Sequence, residues 1–96
     1  IMKKFMMLHF GFEQPTPDVM EKWNQWFAAV AERTVEHGGF MNCREISHDG
    51  TVDLPFGADS ITGYSIIEAE DMAEAERLAE GNPFIKSLRI YEVRNH

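Results

Sequence analysis

The 96-residue chain has a single cysteine, Cys43. One thiol excludes an intrachain disulfide and a cysteine-rich zinc site, and it suits a reducing, cytoplasmic setting. Cations are scarce as well: nine Lys and Arg stand against sixteen Asp and Glu, for a formal charge of −7. A surface that acidic repels phosphate backbones, which argues against nucleic acid and anionic membrane as partners. Long apolar runs are missing. Lys3 and Lys4 precede an apolar run too short for a secretory leader, and no stretch reaches transmembrane length. The chain also lacks a phosphate-cradling glycine loop, a Rossmann glycine pattern and a nucleophile motif, so no cofactor is expected.

What is present reads as one small domain over residues 2–96. The stretch that organises it is Phe5-Met6-Met7-Leu8-His9-Phe10. A strand with one wet face alternates apolar and polar residues, and this one does not. Phe5, Met7 and His9 point one way; Met6, Leu8 and Phe10 point the other. Both faces therefore need cover, as in a central strand.

Downstream, Thr16-Pro17 is a helix start: the threonine caps free amides and the proline has none to leave unpaired. Met20, Trp23, Trp26, Phe27, Val30, Thr34 and Val35 recur at helical spacing, which predicts a helix running on to Gly38. Phe40–Ser47 reads as a second strand nearer an edge, His48-Asp49-Gly50 as a turn, and Thr51–Ser60 as a loop with a short extended piece. Thr62–Ala69 is a third strand. Asp71 with Glu74 three residues on forms a capping pair for a second helix, stopped by Gly81 and Pro83. Ser87–Arg94 is a fourth strand with Leu88 and Ile90 on one face.

Strand, helix, strand, strand, helix, strand is the ferredoxin-like α+β order, βαββαβ. Right-handed crossovers give a four-stranded antiparallel sheet in spatial order 4-1-3-2 with both helices on one face. The other face carries apolar side chains from the central strands. A face of that kind predicts a partner surface, and a homodimer is expected through it.

Asp53-Leu54-Pro55-Phe56, followed by Thr62-Gly63-Tyr64-Ser65-Ile66-Ile67-Glu68-Ala69, resembles the YCII-related family, also described by an Asp-Gly-Pro-Phe motif. Ala73-Glu74-Ala75, Ala79 and Pro83 extend the likeness, as does the Met- and Leu-rich opening strand. The resemblance implies pairing of two ferredoxin-like chains into a dimeric α/β barrel. It also implies a histidine on the first helix with a nearby aspartate as catalytic pair. Here Leu54 stands at the motif glycine, and the helix body presents Trp23, Trp26 and Phe27 with no histidine before His37.

The topology still gathers a candidate site. The first and second strands run in the same direction, so His9, the 11–16 loop and the 47–60 loop share one end of the sheet. The cluster expected there is His9, His48, Asp49, Asp53, Asp59 and Tyr64, with His37 at the opposite end. His9 is the candidate base and Asp59 its companion. An aspartate nearby would raise the histidine pKa, and burial would lower it. Trp23 and Trp26 are core residues or ligand-pocket walls, with Asp53 and Tyr64 beside them. The ligand spacing matches no metal site, so none is expected. Two functions are open: a cofactor-free acid–base enzyme acting on a small organic molecule, or a non-catalytic small-ligand-binding module.

Overall fold

The computed structural model describes residues 1–94. Strands β1 (Lys3–Phe10), β2 (Thr34–Gly39), β5 (Ile61–Ala69) and β6 (Ser87–Glu92) form one antiparallel sheet in the order β2-β5-β1-β6. This is the expected ferredoxin-like order, with β1 and β5 central. Helices α1 (Pro17–Ala29) and α2 (Met72–Leu78) cover one face, and β3 (Cys43–Ser47) pairs with β4 (Gly50–Leu54) in a separate hairpin.

Alternation along the central strands builds the core. Phe5 and Met7 of β1 and Ile67 and Ala69 of β5 are buried with Trp26 and Val30 from the first helical segment and Ala75 of α2. Leu88 and Ile90 of β6 pack against them. The residues between, Met6, Leu8, Tyr64 and Ile66, lie on the uncovered face and are half-buried by their lateral neighbours.

Both helix starts follow local chemistry. The Thr16 side chain accepts from the Val19 amide at 3.3 Å, and Pro17 opens α1. Asp71 accepts from the Glu74 amide at 2.8 Å, while Glu74 accepts from the Glu70 amide at 2.9 Å.

The stretch from 30 to 54 departs from the sequence expectation. The first helix ends at Ala29, not Gly38, and a 3-10 turn over Ala31–Arg33 reverses the chain into β2. Thr34 and Val35 continue the helical apolar spacing, but both are β-branched and favour a strand. Arg33 fixes the reversal. Its guanidinium donates to Glu74 at 2.7 Å and to the Glu68 carbonyl at 3.2 Å, which ties the turn to α2 and β5. Gly38 and Gly39, expected as a helix stop, lie instead in the edge strand. A Cβ on Gly38 would sit 2.9 Å from the Tyr64 ring, so its smallness serves sheet packing.

The second sheet strand is therefore Thr34–Gly39, not Phe40–Ser47. Residues 43–54 fold on themselves because the edge place is already taken. The expected turn at His48-Asp49-Gly50 is present, and it closes this hairpin. Among the described residues no helix is long and apolar enough to cross a membrane.

Trp26 joins the helix to the rest of the core. It is 3% exposed, and its indole N–H donates to the Leu78 carbonyl at 3.0 Å. Trp26→Ala should cost roughly 3–5 kcal/mol in urea unfolding. Trp26→Phe keeps most of the volume but strands the carbonyl, and should cost about 1–3 kcal/mol. A loss below about 1 kcal/mol for the alanine variant would show that the core does not depend on this residue.

Candidate functional site

Three strands contribute one row of residues at the C-terminal end of β1. His9 pairs with Gly63 of β5, and Gly63 pairs with Gly39 of β2. Two of these three positions carry no side chain, so the helix-side surface of the sheet is open beside the imidazole. Gly63 is required: a Cβ there would stand 2.9 Å from the Gly38 carbonyl oxygen. The row below holds Met7, Ser65 and His37.

A register shift between His9 and Phe10 leaves Thr62 as the extra residue of β5. Bulges of this type re-aim side chains beside sites. Thr62 ties the bulge down, its hydroxyl lying 3.3 Å from the His9 carbonyl and 3.4 Å from that of Gly11. The chain then leaves β1 through Gly11 at φ 99°, where a Cβ would meet Lys86 at 2.9 Å.

The open row floors a cleft of about 580 Å³, bordered by His9, His37, Trp23, Phe27, Phe12 and Phe84 among others. An aromatic chain frames it. Trp23 meets His9 edge-on at 4.9 Å between centroids, Phe27 stacks with Trp23 at 5.6 Å, and His37 stacks on Phe27 at 4.5 Å. Among the described residues Glu13 supplies the sole carboxylate of the lining, and no Lys or Arg reaches it.

His9 is 6% exposed, and its Nδ1 is buried with no hydrogen-bond partner among the described residues. Burial pushes its pKa down to about 4, so the ring is neutral at pH 7. The Ser65 hydroxyl, one row below, is likewise buried without a partner. Two orphaned polar groups at the end of a sheet mark a place where stability is given up, as functional sites often do.

The aspartates expected beside His9 lie elsewhere. Asp53 sits on β4 and pairs with Arg44 at 3.0 Å, both exposed. Asp59 hydrogen-bonds Lys86, which holds its carboxyl below the usual range. Neither borders the His9 cleft, nor do His48 and Asp49 at the hairpin turn. The hairpin carries His48, Asp49 and Asp53 away from the sheet end; the loop holding Asp59 does return there, the Gly11 amide donating to the Ser60 carbonyl at 2.8 Å, but Asp59 borders a different cavity, with Phe10. Tyr64 borders the cleft, but alternation turns its ring to the opposite sheet face, where its hydroxyl donates to Glu36. Trp23 is a cleft wall; Trp26 lies behind it in the core, 6.2 Å away.

His37 is the principal residue the sequence reading placed wrongly. It was expected at the far end of a long helix, and it stands on β2 in the lining of the same cleft as His9. The Thr34-Val35 pair was the signal that a strand begins there. Among the described residues no group of three His, Cys, Asp or Glu is arranged to hold a metal ion.

No protein-family model and no curated protein matches the chain. A solved structure does match: 5-chloro-2-hydroxyhydroquinone dehydrochlorinase from Burkholderia phenoliruptrix AC1100, in complex with 2,5-dihydroxybenzoquinone. The TM-score is 0.60, over 97% of this chain and 95% of that one, at 13% identity. The two proteins share a fold.

Burial of a neutral His9 has a consequence for stability. Its folded pKa, about 4, lies below the ordinary value of 6.5, so the unfolded chain binds the proton more readily between those values. The stabilisation is therefore complete above pH 6.5 and is lost as pH falls toward 4. The slope should approach about 1.4 kcal/mol per pH unit, and the total should be on the order of 3 kcal/mol. Urea unfolding of the parent and of His9→Gln between pH 6.5 and 5 measures it. The variant should show a flatter profile, and parallel profiles would remove the buried neutral imidazole from the account.

Proposed function

We propose that this chain is a small cytoplasmic homodimer, related to the YCII-related family, that carries out cofactor-free proton transfer on a small planar organic molecule. The observation that carries the reading is a His9 held neutral by burial at the border of an open space walled by aromatic rings. A flat ring entering the cleft stacks against Trp23 and Phe27. The enzyme of the same fold that is solved with 2,5-dihydroxybenzoquinone supports a phenolic or quinonoid ligand class.

The chemistry follows from the imidazole's surroundings. His9 is by itself a weak base, held neutral by burial. A ring hydroxyl or acidic C–H that begins to ionise beside it supplies a negative charge, which raises the histidine pKa as the proton moves. The base strength is thus coupled to the substrate. His37, on the opposite side of the cleft, is placed to hydrogen-bond a ring oxygen. Asp59, engaged with Lys86, has no part in this reading.

The dimer is proposed through the uncovered sheet face, where Met6, Leu8, Phe10 and Ile66 await cover. The free thiol of Cys43 suits a reducing compartment. A second reading, a ligand-binding module without turnover, is favoured by one observation: among the described residues no carboxylate, Glu13 of the cleft lining included, shifts the His9 pKa upward, and burial alone sets it.

Quenching of tryptophan emission by hydroquinone and 2-hydroxyhydroquinone tests binding, and deuterium exchange at their ring C–H positions in D2O tests proton transfer. The parent protein should bind both and accelerate exchange. His9→Asn should retain affinity within about threefold and lose about 10²-fold or more of the exchange rate. Binding with no exchange, unchanged by His9→Asn, would establish the ligand-binding module instead. Absence of any quenching would remove the cleft from both readings.

A further inference from the structure

We propose that the Cys43–Leu54 hairpin is an arm that crosses to a second copy of this chain and packs against it. The inference rests on the dimer reading above and extends it to a surface that reading did not use. The hairpin stands apart from the body. Every residue of β3 and β4 except the half-buried Cys43 is exposed. A two-stranded hairpin alone in water is marginal and needs a third layer to be stable. This one nevertheless carries apolar side chains into solvent: Ile46 is 82% exposed and Met41, at its root, 75%.

The pairing register divides the arm into two faces. Cys43, Glu45, Val52 and Leu54 share the inner one; the Arg44–Asp53 ion pair and Ile46 are on the outer. The inner face, the 55–61 loop and the sheet meet in a corner of about 630 Å³, bordered by Cys43, Leu54 and Phe56 on one side and Phe10 and Phe40 on the other. Phe40 stacks on Tyr64 at 5.4 Å, so this corner runs directly into the uncovered sheet face.

The amount of exposed surface selects the occupant. The chain presents 7129 Å² to solvent. A compact monomer of 11.0 kDa presents about 5,600 Å², so the excess is about 1,500 Å². That exceeds the roughly 800 Å² each partner contributes to a standard interface and suits an obligate one. The radius of gyration, 14.6 Å, likewise exceeds the about 12.5 Å of a compact chain of this length. One chain offers both a projecting arm and an apolar corner. A two-fold axis uses each of them twice and closes the assembly at a dimer.

The test compares the parent chain with Val52→Asp and Leu54→Asp by sedimentation equilibrium. Both side chains are exposed in the single chain, so its own fold should be unaffected, as circular dichroism and Trp26 emission will report. The parent should be dimeric at micromolar concentration, and each variant should weaken the dimer at least tenfold. Hydrogen exchange gives an independent reading: β3 and β4 amides should be protected in the dimer and lose protection on dilution. A dimeric parent whose variants dimerise equally well, with unprotected arm amides, would overturn the arm and leave the sheet-face dimer standing. A monomeric parent would overturn both.

Discussion

The structure depends on a steric constraint at Gly63. Its backbone lies so close to the Gly38 carbonyl that a side chain there would collide at 2.9 Å. Because Gly63 has none, β2 can pair with β5 at full depth. The same vacancy, with Gly39 beside it, opens the sheet surface next to His9. Strand pairing and the cleft are thus consequences of one missing Cβ. The bulge at Thr62 adds to this by shifting the register just past His9. The imidazole is held at the level of the two glycines while the chain beyond it turns away.

The fold was largely legible in the sequence, and the reasons are particular. β1 shows its central place by failing to alternate. Thr16-Pro17 and Asp71 with Glu74 mark both helix starts through side-chain chemistry that acts within four residues. The long middle stretch was not legible, because there the competing signals are of similar strength. Val30, Thr34 and Val35 keep helical spacing, whereas the last two favour a strand by their branching. The decision falls to Arg33, whose partners Glu74 and Glu68 lie more than thirty residues away. No local reading can see such a tie. The site inherited the error. With the helix drawn to Gly38, His37 falls at the wrong end of the sheet and Asp53 beside His9, whereas Asp59 does lie at that end but borders another cavity. The place of His9 depends on β1 alone, and it stands at the end of that strand as the sequence predicts.

The electrostatics of His9 separate two meanings of a candidate base. A histidine beside a carboxylate is a strong base poised near neutrality. A histidine buried among Trp23 and Trp26 is a weak one, and its empty state is expensive: an unsatisfied ring nitrogen costs about 1–3 kcal/mol. The orphaned Nδ1 is sealed inside the protein, so it weakens the fold without itself facing the cleft.

β1 distributes these tasks by its pleat. Phe5 and Met7 hold the core, and His9, two residues on, reaches the cleft on the same face. Met6, Leu8 and Phe10 look the other way, toward the surface proposed for the second copy. Phe10 carries Arg89 over its ring at 4.3 Å and borders the corner beneath the hairpin. Adjacent residues of one strand thus border the cleft and the uncovered sheet face, with no loop between them. A change at Phe10 moves the backbone that holds His9, through the bulge they share.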